Sequence, residues 1–125
     1  MSEGLGNIYY EAGNLGKAEK YFRQAFLLEQ TNPDRLNNLA SILINNDRNI
    51  NEGIELANRA LLLTPGSYNF IDTKGWGLYK QGKYKEALDL LQESWNSRMK
   101  NAKYDHDSFL HLEAAKKAVA NHKNN

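Results

Sequence analysis

Small and large apolar residues recur along this chain in a pattern that repeats itself. The segment YYEAGNLGKAE at residues 9–19 is a blurred copy of LYKQGKYKEAL at 78–88. Superposing the two puts Gly13 on Gly82, Ala18 on Ala87, Tyr9 on Leu78 and Gly6 on Gly75, an offset of 69 residues. A middle copy lies halfway: Gly6, Ala40 and Gly75 are 34 and 35 residues apart, and Ala25, Ala60 and Ser94 are 35 and 34 apart. The extra residue falls in the loop NNDRNINEG. Small residues at Gly6/Ala18, Ala40/Gly53 and Gly75/Ala87 let paired helices approach closely, and the large residues beside them fill the flanks.

This periodicity predicts helices over 2–12, 15–30, 33–46, 50–63, 68–81 and 84–100, with no strand-like alternation. Punctuation agrees. Asn32 before Pro33 is a cap and first-turn pair, Ser67 can cap the next helix, and Gly13 and Gly82 suit the left-handed position that closes a helix. The tail NAKYDHDSFLHLEAAKKAVANHKNN leaves the repeat and offers one more amphipathic helix, from about Asp107 to Asn121. There Phe109, Leu112, Ala115 and Val119 form the apolar stripe, with Glu113, Lys116, Lys117 and Asn121 largely opposite. A polar-faced terminal helix is what a stack of repeats needs to cover its last apolar face. The N-terminal repeat starts late, which suggests a trimmed first helix and a larger parent protein.

Composition narrows the chemistry. Sixteen Lys and Arg against fifteen Asp and Glu leave a formal charge of +1, so no global field draws the chain to nucleic acid or an anionic membrane. Cysteine is absent, which removes thiolate nucleophiles and cysteine zinc sites. No basic leader or long apolar run is present, so a soluble domain without direct membrane insertion is expected, in the cytoplasm or periplasm. His106 and His111 with Asp105 and Asp107 could be drawn as metal ligands, but histidines five residues apart do not share a helix face and Asp107 reads as the N-cap. Both histidines therefore read as exposed polar residues at a helix start. No catalytic residues, metal or cofactor are expected, and no enzyme.

A period of 34 with small residues at these offsets resembles the tetratricopeptide repeat, two antiparallel helices per unit, across residues 2–99. Lys74 in place of a leucine and Ser94 in place of an alanine depart from the pattern. The resemblance implies an all-α, right-handed superhelical solenoid: one domain over 1–125 with repeats at about 1–32, 33–67 and 68–101 and a capping helix at about 105–122. It also implies a concave wall built by the first helix of each hairpin. Carried onto this sequence, the wall positions are Glu3, Asn7, Tyr10 and Glu11; then Asp34, Asn37, Asn38, Ser41, Ile44 and Asn45; then Asn69, Asp72, Thr73, Trp76, Tyr79 and Lys80. Asparagine amides suit the backbone of an extended peptide, and Trp76 with Tyr10 and Tyr79 supplies amphipathic anchors. The implied function is a scaffold that binds a peptide or protein segment in that groove, the alternative being a structural spacer in a longer array. The repeats also resemble variants common in bacterial proteins. One member type, the co-chaperones that grip the C-terminal carboxylate of heat-shock chaperones, has asparagines at the places of Asn7 and Asn38. It needs Lys or Arg where this chain has Glu3, Asn69 and Thr73, so that partner is expected to be excluded.

Overall fold

The computed structural model describes residues 2–122, and side chains from residue 4 onward. Among these residues there are seven helices and no strand: α1 (Ser2–Glu11), α2 (Leu15–Leu28), α3 (Pro33–Asn45), α4 (Ile50–Leu63), α5 (Tyr68–Lys80), α6 (Tyr84–Lys100) and α7 (His106–Asn121). The helices pair as α1/α2, α3/α4 and α5/α6, and α7 packs on α6. The chain divides into two compact units, one ending at Pro65 and the other beginning at Gly66.

The turns explain the pairing. Gly13 and Gly82 take the left-handed conformation at φ 81° and 84°, where a Cβ is disfavoured. In each turn the glycine N–H and the next N–H bond back to α1 or α5: Gly13 to the Tyr10 carbonyl, Asn14 to Tyr9, Gly82 to Tyr79 and Lys83 to Leu78. The middle hairpin gives this place to Asp47, at φ 54°, with Asp47 N–H bonded to Ile44 and Arg48 N–H to Leu43. Aspartate tolerates the left-handed region better than most residues. Asp47 stands 34 residues after Gly13, so the inserted residue comes after it, before α4 begins at Ile50. Asparagines then start the helices: Asn14, Asn32 and Asn49 cap α2, α3 and α4 through their side-chain oxygens, and Ser67 caps α5. Asp105, rather than Asp107, caps α7 by accepting from Ser108 N–H at 2.9 Å.

In the first unit Ala18, Phe22, Leu36, Leu39, Ala40, Leu43, Leu56 and Ala57 form the core. Gly53 is required there, because a Cβ would lie 2.7 Å from Ile44 Cγ1 and 3.0 Å from the Ala40 carbonyl oxygen. In the second unit Phe70, Ile71, Leu78, Ala87, Leu91, Leu112 and Ala115 are buried. Ser94, where the repeat pattern has alanine, is fully buried, and its hydroxyl donates to the Tyr68 carbonyl at 2.7 Å. A polar atom enters that core because it finds an acceptor in the first turn of the partner helix.

Candidate functional site

The expected wall residues belong to α1 and α3 in the first unit and to α5 in the second. On α1, Asn7, Tyr10 and Glu11 are exposed; the Glu3 side chain lies outside the described residues. On α3, Asn37, Asn38, Ser41 and Asn45 are half-buried, and the Asn45 amide donates to Ser41 Oγ at 3.4 Å. Asn37 Oδ1 is buried without a hydrogen-bond donor. Ile44 does not belong to this face: it is 1% exposed and packs against Gly53 in the core.

In the second unit the side chains of α5 do not stand free. Trp76 is half-buried in a stack of three rings, with Tyr79 at 4.6 Å and 5° and His111 of α7 at 4.0 Å and 12°. Tyr79 and His111 make no ring contact with one another, so they bracket the indole from opposite faces. The ammonium of Lys80 sits 5.7 Å from the indole centroid, within cation–π range. His111 Nδ1–H donates to Asp72 Oδ2 at 3.0 Å, and both side chains are largely shielded from solvent. Beside the stack a surface trough of about 770 Å³ is lined by Tyr79, Tyr84, Leu110, Glu113, Lys117 and His122.

His111 therefore corrects its reading as an exposed polar residue, whereas His106 is exposed as expected. Both faces of the Trp76 indole are covered by other rings, and what Trp76 presents is its edge. Phe109, assigned to the buried stripe of α7, is 36% exposed and gathers with Trp95, Tyr104 and His106 instead. Among the described residues no group of His, Asp and Glu is arranged to hold a metal ion, and no helix is long and apolar enough to cross a membrane.

The start of α5 is tied to the end of α6. Arg98 is 7% exposed, lies over the Tyr68 ring at 4.5 Å and donates through Nη2 to Asn69 Oδ1 at 2.6 Å. Thr73 is buried and donates its hydroxyl to the Asn69 carbonyl. Near this cluster Asp105 is held below the usual carboxylate range. Burial pushes its carboxyl up, but the Ser108 N–H and hydroxyl and the charges of Arg98 and His111 outweigh that.

Family models of the tetratricopeptide repeat match residues 3–32 and 72–106. No curated protein sequence matches the chain. Solved structures do. The TPR domain of Sgt2 from Aspergillus fumigatus is 18% identical, with a TM-score of 0.80 over 99% of this chain and 80% of that one. The first TPR of Spaghetti (RPAP3) bound to the HSP90 peptide SRMEEVD is 17% identical, with a TM-score of 0.76 over 95% and 90%. The TPR2B domain of yeast Sti1 in complex with pHsp70 is 16% identical, with a TM-score of 0.76 over 93% and 94%.

These structures overturn the exclusion of a heat-shock chaperone's C-terminal carboxylate, because two of the domains that share this fold are in complexes with chaperone partners. The exclusion treated Asn69 and Thr73 as open, uncharged wall positions. Thr73 is instead packed, and Asn69 already carries a guanidinium at hydrogen-bond distance, supplied by Arg98 from the opposite helix. A charge missing from one helix at a given register is thus no guide to the charge at that place in space.

Proposed function

Because the chain belongs to the tetratricopeptide repeat family, we propose that it is an interaction module that binds a peptide segment along the first helices of its hairpins. The observation that carries this reading is the edge of Trp76, half exposed between Tyr79 and His111 with Lys80 beside it. An amphipathic ring ordered at a surface, next to a cation and a trough, is the arrangement of a binding anchor. In the first unit, taken by itself, the α3 face carries Asn38, whose amide can both donate to and accept from a peptide backbone. A carboxylate-terminated peptide of the kind named in the RPAP3 complex is the first candidate, since Lys80 and Lys117 offer ammonium groups near the stack.

The test is fluorescence anisotropy with labelled SRMEEVD and a panel of unrelated heptapeptides, each with a free-acid and an amidated end. Saturable binding that Trp76→Ala weakens at least about tenfold, at a temperature where both proteins are folded, is expected. If no peptide of the panel binds, the spacer reading takes its place.

A further inference from the structure

We propose that His111 and Asp72 form a positioning pair for Trp76, so that α7 is a working wall of the peptide site as well as a cap. The inference rests on the peptide-binding reading and adds to it a residue from outside the repeats. Three observations converge. His111 lies flat on the indole at 4.0 Å. Its Nδ1–H is fixed by a carboxylate on the same helix as the tryptophan, four residues before it. Both side chains of the pair are mostly withdrawn from water, at 19% and 13% exposed.

A cap needs only apolar burial, which Leu112 and Ala115 of α7 already supply. The imidazole contributes something different. Tyr79 packs on one indole face from the same helix, and without His111 the opposite face would be free to turn toward solvent. With His111 in place the ring is held between two planes and only its edge is offered. Asp72 determines where the imidazole sits, because a carboxylate acceptor fixes both its tautomer and its plane.

The experiment uses the full chain with Trp95→Phe, so that Trp76 is the only indole. Near-ultraviolet circular dichroism and tryptophan emission report the ring, thermal melting reports the fold, and anisotropy with labelled SRMEEVD reports the site. His111→Ala should diminish the Trp76 dichroism, red-shift its emission and weaken the peptide at least about fivefold, the scale expected for loosening a central anchor. His111→Phe, which keeps a ring on the indole, should recover most of the dichroism and affinity. Asp72→Ala should reproduce much of the His111→Ala effect. Unchanged Trp76 spectra in His111→Ala would overturn the proposal. So would a spectral change with unaltered peptide affinity, which would leave the peptide site standing and reduce the pair to a structural contact. Failure of the unsubstituted protein to bind the peptide overturns the underlying reading instead, and is distinguishable because it precedes any substitution at residue 111.

Discussion

Two glycines inside helices show how differently the same residue type is used here. Gly53 touches Ile44 and the Ala40 backbone, whereas Gly16 in the first turn of α2 has only Asn14 Oδ1 at 3.9 Å from the place its Cβ would take. Gly16→Ala should therefore stabilise the protein by about 0.5 kcal/mol through helix propensity, while Gly53→Ala should cost about 1–3 kcal/mol because backbone must move. Urea titration of both variants checks the contrast. The sequence marked Gly53 as a packing position because the repeat aligned it with other small residues. It could not mark His111, since a polar residue beside an apolar stripe reads as solvated until a partner helix brings Asp72 and Trp76 to it. Asp105 allows a test with a defined sign. Its folded pKa is depressed, so the stability it contributes is present above its unfolded value, about 3.9, and is lost as pH falls through the lower folded value. Asp105→Asn keeps a capping oxygen but not the charge. The melting gap between it and the unsubstituted protein should be steady from pH 7 to about 5 and shrink below about pH 4; a gap that widened in acid would contradict this account.

At the scale of elements, nearly every helix was legible, because three copies of one pattern supply three chances to see each boundary. The ends moved by a residue or two, and the physical reasons are local: Asp105 outcompetes Asp107 as cap, and α2 stops at Leu28 rather than 30. What the pattern could not show was the traffic between elements, such as Arg98 reaching back to Asn69, because charge positions on one helix say nothing about the side chains of its neighbour. The last helix is where this matters most. Ending the chain at residue 103 removes α7 and should uncover Leu91 and Trp95 on α6, with loss of melting temperature and association in gel filtration. Trp76 emission should shift red in the same variant, since His111 leaves with the helix. A truncated protein that stays monomeric and melts unchanged would show that α7 neither caps nor holds the tryptophan.

At the scale of the whole molecule, the compact units through Pro65 and from Gly66 each carry residues expected to bind, Asn38 in the first and Trp76 in the second. Substitutions at these two residues therefore report on two bodies separately. Asn38→Ala removes one neutral donor–acceptor group, worth about 1 kcal/mol, or a few-fold in affinity. Trp76→Ala removes an anchor and should cost about 2 kcal/mol. Any loss measured for Asn38→Ala should be the same whether residue 76 is tryptophan or alanine, because residues without shared partners act independently. The Asn38 effect should also be indifferent to salt, whereas any contribution of Lys80 or Lys117 should fade between low and high ionic strength. Anisotropy on the two single variants and the double, at two salt concentrations, decides the matter. An Asn38→Ala variant that binds as well as the unsubstituted protein would confine the interaction to the α5–α7 unit and make His111, Trp76 and Tyr79 the whole of the aromatic anchor.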